Sequence, residues 1–259
     1  MDMSWTYDDF TKAVFNLTKI DLSSYKERQM KRRIDSLISR NNFRQYEEYY
    51  KALQTDKDLL EKFLNYITIN VSEFYRNPGQ WEVLREHIIP MLIEKHGKLK
   101  IWSAASSTGE EPYSVVMLLQ EFFPLEDIKV IATDIDKEAI RKAKEGLYLE
   151  KSLQSLPREY ISKFFTVEEE LFRIDDRIKE RVEFRHHDLL MDPYPNNCHL
   201  IICRNVMIYF TGEAKNKLYV KFGEALADDG VLFVGNTEQI IFPHKYKLKS
   251  IRTFFYKKM

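Results

Sequence analysis

The spacing of hydrophobic residues changes near residues 70–80 and divides the chain into two parts. Before that point apolar side chains recur every three or four residues, as in Phe10, Val14 and Leu17, and predict four short helices without a strand. After it, short apolar runs alternate with helical patterns. The predicted helices are 78–95, 110–122, 136–145, 157–164 and 213–227, and the predicted strands are 99–104, 128–133, 181–185, 199–203, 230–235 and 246–257. Such alternation is typical of an α/β fold with a doubly wound, mostly parallel sheet.

These patterns predict two domains and one insertion. A small all-helical N-terminal domain covers residues 1–76, and the α/β domain covers 77–259. Segment 146–180 interrupts the alternation, because it holds a helical stretch and then an alternating one, 165–174. We interpret it as an inserted β-hairpin subdomain on the carboxyl side of the sheet.

Composition narrows the classes of function. The 259 residues include 40 basic and 40 acidic ones, so the chain lacks the overall positive charge typical of nucleic-acid binding. No apolar run approaches the roughly 18 residues that cross a bilayer, and the N-terminus lacks a secretory pattern, so we expect a cytoplasmic protein without membrane insertion. The two cysteines, Cys198 and Cys203, flank one apolar run and predict reduced core residues, with no metal site.

The junction between predicted strand 99–104 and helix 110–122 is the most informative segment. It consists of small residues, Ala-Ala-Ser-Ser-Thr-Gly, followed at once by Glu110 and Glu111. Small side chains let the backbone approach a bound nucleotide closely. Two acids at a helix N-terminus repel a pyrophosphate but accept an ammonium or sulfonium group, so a cationic nucleoside such as S-adenosylmethionine fits better than a dinucleotide. The alternative is that acids early in a helix merely suit the helix dipole.

Polar residues also follow the next two strands. Asp134 ends strand 128–133, where an acid can accept hydrogen bonds from ribose hydroxyls, whereas Asp136 is the better helix N-cap. After strand 181–185, Asp188 could contact the adenine amine while Leu189 packs on the ring. The neighbouring His186 and His187 point to opposite sides of an extended segment and cannot easily chelate one ion.

Two further segments carry candidate groups. Asn205 follows the buried strand 199–203 where the reacting end of the cofactor should lie, and Tyr209 could line a methyl-transfer pocket or be an ordinary core aromatic. Asn70 and Ser72 could bond a ligand carboxylate at the junction of the predicted domains, and the guanidinium of Arg76 suits a carboxylate.

Four ordered segments carry a family resemblance. They are Asn70-Val-Ser-Glu-Phe-Tyr-Arg76, Trp102-Ser-Ala-Ala-Ser-Ser-Thr-Gly-Glu-Glu-Pro-Tyr-Ser114, Thr133-Asp-Ile-Asp136 and Cys203-Arg-Asn-Val-Met-Ile-Tyr-Phe210. Together they strongly resemble the CheR-type chemotaxis receptor methyltransferases over nearly the whole chain. The resemblance implies a protein-glutamate O-methyltransferase that uses S-adenosylmethionine to esterify carboxylates on the cytoplasmic helices of membrane chemoreceptors.

The resemblance implies cofactor contacts for individual residues, and the catalytic roles of Arg76 and Tyr209 are a hypothesis drawn from the chemistry of their side chains. The expected cofactor contacts are Asn70, Ser72, Arg76, Glu111, Asp134, Asp188, Leu189, Asn205 and Val206. Arg76 and Tyr209 are expected to act in catalysis, Arg76 by holding the incoming carboxylate and Tyr209 by shaping the methyl pocket. Family members commonly have Thr where Ser72 stands and Asn where Asp188 stands; both changes keep a hydrogen-bonding oxygen.

A basic segment predicts how a receptor would be bound. Residues 26–44 hold seven basic residues against Glu27 and Asp35. An acidic receptor helical bundle would be a natural partner, although an ordinary solvated helix explains such a run equally well. The candidate docking residues are Arg28, Lys31, Arg32, Arg33 and Arg40. In some relatives a hairpin like the 146–180 insertion captures a receptor peptide by strand addition. We expect a monomer.

Two rival functions remain open at this level. A methyltransferase acting on nucleic acid or on lysine would share the cofactor sheet, but the first needs a wider basic surface and the second must deprotonate an amine. The other class is a non-enzymatic module that keeps a nucleoside pocket for regulation.

Overall fold

The computed structural model describes residues 5–259, which form two compact units. The first contains residues 5–69 with Tyr209–Asn216, and the second contains Asn70–Ile208 with Lys217–Met259. Segment 70–76, which we assigned to the helical domain, belongs to the second unit. Its hydrogen bonds explain this, since the Asn70 amide donates to Asp136 and the Tyr75 backbone N–H donates to Ser114.

The first unit consists of four helices, as predicted. They are α1 Tyr7–Thr18, α2 Glu27–Arg40, α3 Tyr46–Thr55 and α4 Lys57–Thr68. A capping box between Thr6 and Asp9 begins α1, and the Asp56 side chain accepts the Leu59 backbone N–H at the start of α4. The apolar faces meet in a core that includes Phe10, Tyr49 and Phe63, all fully buried.

The second unit holds the strands and the remaining α-helices, except that α11 begins within the Tyr209–Asn216 segment of the first unit. The helices are α5 Pro78–Val83, α6 Ile89–His96, α7 Glu110–Leu119, α8 Lys137–Glu145, α9 Arg158–Phe164, α10 Asp176–Lys179 and α11 Gly212–Ala225. The strands are β1 Ile101–Ala104, β2 Val130–Asp134, β3 Leu147–Leu149, β4 Phe165–Glu168, β5 Leu171–Ile174, β6 Val182–His186, β7 Cys198–Cys203, β8 Leu226–Val234, β9 Leu248–Arg252 and β10 Phe255–Lys258.

Seven strands form one sheet in the order β6-β2-β1-β7-β8-β10-β9. The first five run parallel, which confirms the predicted α/β class with a mostly parallel sheet. Their carboxyl ends therefore lie along one edge, and the loops that follow these strands carry the candidate site residues. We call this edge the carboxyl edge.

Two predicted elements differ in kind from the observed ones, and β8 begins at Leu226, within the predicted helix 213–227. The predicted strand 246–257 is an antiparallel hairpin, β9 and β10, because Phe254 adopts a left-handed φ of 70° and reverses the chain. The predicted helix 78–95 is interrupted by a π-helical turn at Leu84–Ile88. Pro90 lies in the first turn of α6 and has no N–H to donate, which favours an irregular turn before it.

The insertion contains the predicted hairpin and one additional strand. β4 and β5 pair antiparallel over Phe165–Glu168 and Leu171–Ile174, and β3 pairs with β5 on the other side. With three residues, β3 is too short to give a periodic pattern. Within residues 5–259 no helix combines the length and apolar character needed to span a membrane.

Candidate functional site

Three residues in the turn between β1 and α7 have positive φ values. Ala105 and Ser107 adopt φ values of 69° and 48°, and Gly109 adopts 95°. A Cβ on Gly109 would lie 2.9 Å from the Ala143 Cβ and 3.1 Å from the Tyr148 hydroxyl, so glycine is required there on two counts. The turn consequently exposes backbone at the carboxyl edge, where a ligand can approach it closely.

Asp134 and Asn70 connect the ends of β1 and β2. The Asp134 carboxylate accepts the backbone N–H of Ser107 at 2.7 Å and that of Asp136 at 2.9 Å. Burial raises the pKa of Asp134 to about 6. The Asn70 amide donates to Asp136 Oδ2 at 2.6 Å, and the Ser107 hydroxyl donates to Asn70 Oδ1 at 2.9 Å. Segment 70–76 is thereby fastened to the carboxyl edge.

Asp136 fulfils the capping role predicted for it. Its Oδ1 accepts the backbone N–H groups of Glu138 and Ala139 at 2.9 and 3.0 Å, at the start of α8. These bonds satisfy amide groups that have no partner within the helix.

The two acids that open α7 differ in environment. Glu110 is buried and its carboxylate accepts the Thr108 hydroxyl at 2.7 Å, so it serves the turn itself. Burial raises the pKa of Glu110, and a hydrogen bond with Ser72 opposes that rise. Glu111 has a side chain 12% exposed and accepts the Ser103 hydroxyl at 2.8 Å. Burial raises its pKa to about 7, against the attraction of the nearby Arg204 charge.

Arg204 connects Glu111 with segment 76–80. One guanidinium nitrogen donates to the Arg76 carbonyl at 2.7 Å, to Gln80 Oε1 at 2.9 Å and to Asn77 Oδ1 at 3.1 Å. The other terminal nitrogen lies 3.8 Å from the Glu111 carboxylate. Sequence reasoning missed Arg204, although its position directly after the buried strand β7 was a usable signal.

Glu238 holds the turn after β7. Its carboxylate accepts the backbone N–H of Asn205 at 2.7 Å, of Gly235 at 2.8 Å and of Ile208 at 3.2 Å. These bonds support Asn205 in a left-handed conformation with φ 61°. Sequence reasoning also missed Glu238, because only the fold brings it beside a residue 33 positions earlier.

The loop after β6 presents Asp188 and Leu189. Asp188 Oδ1 accepts the Leu190 backbone N–H at 2.8 Å, and burial raises the Asp188 pKa. Leu189 is buried. His187 packs its ring against Trp102, as expected of a core histidine. Among the described residues no group of three or more His, Cys, Asp or Glu side chains could hold a metal ion.

The predicted cofactor residues all belong to the second unit. Ser107 links Asn70 to Asp134, and Arg204 links the Arg76 carbonyl to Glu111. Asn205, held by Glu238, follows Arg204 in the chain, and Val206 comes next. Tyr209 belongs to the first unit, where its carbonyl accepts the Lys26 backbone N–H at 2.8 Å.

Two protein-family models match this chain. Residues 70–255 match the family model of the CheR methyltransferase SAM-binding domain, and residues 6–68 match that of the CheR methyltransferase all-alpha domain. The chain belongs to the CheR methyltransferase family. This CheR-family chain is therefore a methyltransferase that uses S-adenosylmethionine, and its relatives associate it with chemotaxis, as the sequence resemblance implied.

Three relatives, each named chemotaxis protein methyltransferase, illustrate the similarity. The Listeria monocytogenes protein is 40% identical over 256 residues, which is 98% of each chain. The Borreliella burgdorferi protein is 32% identical over 243 residues, covering 88% of this chain and 86% of its own. The Salmonella typhimurium protein is 31% identical over 237 residues, covering 88% and 81%.

The residues at the carboxyl edge fit S-adenosylmethionine. Glu111 and Asp134 are carboxylates whose pKa values burial has raised, so a cationic group or hydroxyl donors would favour their ionised forms. The Ser106 hydroxyl, in the β1–α7 turn, is buried without a hydrogen-bond partner among residues 5–259. A nucleoside with hydroxyl, amine and sulfonium groups supplies the partners that these atoms require.

Proposed function

We propose that this CheR-family chain transfers a methyl group from S-adenosylmethionine to glutamate side chains on the cytoplasmic helices of membrane chemoreceptors. When bound, S-adenosylmethionine supplies an electrophilic methyl carbon on a positively charged sulfur. A carboxylate oxygen of the substrate forms a bond to that carbon while the carbon–sulfur bond breaks and its electron pair stays on sulfur. The products are a glutamyl methyl ester and S-adenosylhomocysteine, and no proton is transferred.

The observation that carries this proposal is the charge at the carboxyl edge. Burial lowers the pKa of Arg204 and the nearby charge of Arg76 acts in the same direction, so two guanidinium groups lie close together and favour an anionic acceptor. A glutamate carboxylate, with a reference pKa of about 4.3, is already ionised at neutral pH and needs no general base. A lysine acceptor would need one.

We assign Arg76 the orientation of the incoming carboxylate. Its guanidinium is half-buried and donates to the Val71 carbonyl at 3.2 Å, which leaves further donors in its planar fork. Positioning of this kind can contribute about 7 to 11 kcal/mol to a reaction between two bound groups. Tyr209 is proposed to shape the methyl pocket.

Kinetics of two Arg76 variants test the assignment. Arg76→Lys keeps the charge but loses the fork, and Arg76→Ala loses both, so turnover with receptor substrate should fall in that order. Unchanged turnover in both variants would remove Arg76 from the mechanism. Arg85→Ala is a suitable control, because Arg85 is an exposed arginine paired with Glu86.

The remaining predicted contacts are proposed as follows. Asp134 accepts the ribose hydroxyls, Asp188 and Leu189 contact the adenine, and Asn70, Ser72, Glu111, Asn205 and Val206 contact the rest of the cofactor. Receptor docking is assigned to α2 in the first unit. Arg28, Arg32 and Arg40 are exposed there and can meet an acidic helical bundle.

Lys31 and Arg33, also predicted to dock the receptor, have partners inside the first unit. Lys31 donates to Asp35 at 3.2 Å and to the Tyr46 hydroxyl at 2.8 Å. Arg33 donates to the Tyr66 carbonyl, and its guanidinium lies 4.5 Å from the Tyr66 ring centroid. We therefore propose that these two residues stabilise the unit and contribute less to docking than the exposed arginines.

Transfer of a labelled methyl group to receptor-rich membranes tests the function. We expect label on receptor protein that is released as methanol by mild base, since esters hydrolyse and methylated amines do not. Base-stable label on protein would indicate a lysine methyltransferase, and label on nucleic acid would indicate the other rival. Binding of S-adenosylmethionine without any transfer would indicate a regulatory module. We place the reaction in the cytoplasm and expect a monomer.

A further inference from the structure

The C-terminal part of the chain concentrates positive charge. Residues 239–259 include six lysines or arginines and no acid, although the whole chain has 40 of each sign. Two of the six serve the fold, since Lys257 pairs with Asp229 at 2.5 Å and Lys258 donates to the Leu226 carbonyl at 2.6 Å. The other four are exposed to solvent: Lys245, Lys247, Lys249 and Arg252.

Two large apolar side chains are exposed within the same segment. We call residues 235–247 the β8–β9 loop. At its tip Ile241 is 80% exposed and Phe242 is 54% exposed. The Lys245 ammonium lies 4.9 Å from the centroid of the Phe242 ring. Single exposed apolar residues are ordinary, but an adjacent exposed pair with a lysine ammonium beside it is typical of an interaction surface.

The exposed tip belongs to a loop that is held at both sides. The Ile240 backbone N–H donates to the Tyr256 hydroxyl at 2.8 Å. On the other side the Tyr246 carbonyl packs on Gly223 of α11, where a Cβ would lie 2.5 Å from it, and the Tyr246 ring lies 5.1 Å from that of Tyr219. The Ile241–Phe242 pair is thus presented by a fixed backbone, which lowers the entropy lost when a partner binds.

The tip lies beside the proposed methyl-transfer site. Glu238, three residues before Ile241, accepts the Asn205 backbone N–H at 2.7 Å. Three residues of extended chain span at most about 11 Å, so the backbone of Ile241 lies within about 11 Å of the backbone of Glu238. A macromolecule that places a side chain at Asn205 therefore passes close to the tip.

We infer that the β8–β9 loop is a docking surface for the acidic helix that carries the methyl-accepting glutamate. Ile241 and Phe242 pack against apolar positions of that helix, and Lys245 and Lys247 face the acidic residues that flank the acceptor. This inference rests on the proposed function and names a contact for the same substrate. Charge complementarity favours an acidic partner over a second copy of this lysine-bearing surface, and continuity with the site favours the receptor helix over an anionic lipid.

Two double variants and two matched controls test the inference. The test variants are Ile241→Ser with Phe242→Ser, and Lys245→Glu with Lys247→Glu. The control for the first is Val220→Ser, an exposed apolar residue of α11. The control for the second is Lys98→Glu with Lys129→Glu, which makes the same charge change next to the amino ends of β1 and β2.

The measurements are methyl transfer to a soluble receptor cytoplasmic fragment and direct binding of that fragment. We expect each test variant to raise KM and weaken binding about tenfold, while kcat, S-adenosylmethionine affinity and melting temperature stay near those of the controls. A purely structural role would instead change the melting temperature or kcat. Equal KM and equal binding in test and control variants would overturn the inference.

Three other results discriminate further. Retained fragment binding together with lost binding to anionic vesicles would replace the receptor helix by a lipid surface and overturn the inference. If the wild type is a dimer and the tip variants are monomers, the tip binds a second copy of the chain, and this result would also overturn the inference. If the wild type forms no base-labile ester but its fragment binding depends on the tip, the proposed reaction fails and the docking surface stands.

Discussion

At the scale of single residues, burial determines how the candidate site is charged. Glu111 and Asp134 have pKa values raised to about 7 and about 6, in both cases mainly through loss of solvent. A cation that binds beside such a carboxyl group stabilises its ionised form, so a protonated carboxyl group releases its proton when the cation binds. Cofactor binding and proton release are therefore coupled at this site.

This coupling predicts a pH-dependent affinity for S-adenosylmethionine. Below pH 7 the Glu111 carboxyl is largely neutral and attracts the ammonium or sulfonium weakly, so the dissociation constant should fall as pH rises from 6 to 8. Glu111→Gln should weaken binding at pH 8 and flatten this dependence. Calorimetry over the pH range measures both effects, and Glu126→Gln, which replaces an exposed acid, is the control. The same slope in both variants would exclude Glu111 as the coupled group.

Arg204 gives a second prediction at this scale. One of its terminal nitrogens donates to three oxygens of segment 76–80 while the other lies 3.8 Å from the Glu111 carboxylate, and the single ammonium of a lysine cannot occupy both positions. We expect Arg204→Lys to lower kcat/KM for receptor substrate about 10- to 100-fold, corresponding to about 1.5–3 kcal/mol for hydrogen bonds to a charged group. S-adenosylmethionine affinity should change less, because Arg204 acts by positioning Arg76. Equal losses in turnover and cofactor affinity would argue against that positioning role.

Asp134, Arg204 and Asn205 lie where an apolar strand ends, whereas Glu238 does not. Asp134 and Asn205 lie directly after apolar strands, so the rule that ligands bind at strand carboxyl ends singled them out. Glu238 lies four residues beyond β8 and acquires its role only by accepting N–H groups from another loop. Such pairings depend on tertiary contacts, and no local pattern contains them.

At the scale of elements, the β1–α7 turn depends on one glycine. Gly109→Ala must adopt φ 95° and place a Cβ 2.9 Å from Ala143 and 3.0 Å from the Tyr113 ring. We expect a loss of about 1–3 kcal/mol in the free energy of unfolding and a weaker affinity for S-adenosylmethionine. Denaturant unfolding measures the first effect. Gly79→Ala is the matched control, since a Cβ there meets nothing within 4 Å, and an equal effect of both changes would contradict the prediction.

Element predictions succeeded where turn residues bound an apolar pattern and failed where the pattern continues across a change of backbone conformation. Helices such as α2 and α8 expose a clear apolar stripe, and β1 and β7 are buried apolar runs between turn residues. The sequence pattern predicts one strand over the β9–β10 hairpin, because Phe254, at its turn, is apolar and continues the strand pattern. The left-handed conformation of a non-glycine residue such as Phe254 cannot be predicted from its residue type.

At the scale of the whole molecule, a neutral chain carries separate concentrations of positive charge. One lies on α2 and the other on the β8–β9 loop and β9, each in a different compact unit. Charges of this kind steer encounter with an acidic partner and affect association more than the chemical step. Salt should therefore raise KM for receptor substrate more than it lowers kcat, because exposed charges are screened beyond about 10 Å at 0.1 M ionic strength.

The exposed arginines of α2 allow this idea to be tested without disturbing the fold. Arg28 and Arg32 lie one helical turn apart on one face, whereas reversal of Arg33 would remove the donor to the Tyr66 carbonyl. Arg28→Glu with Arg32→Glu should raise KM for a receptor fragment about tenfold at low salt, leave S-adenosylmethionine affinity unchanged and reduce the salt dependence of KM. Lys12→Glu with Lys57→Glu makes the same change of charge on other exposed positions of this unit. If that control raises KM equally, net charge and not α2 governs the encounter; if both affinities fall together, the arginines support the fold.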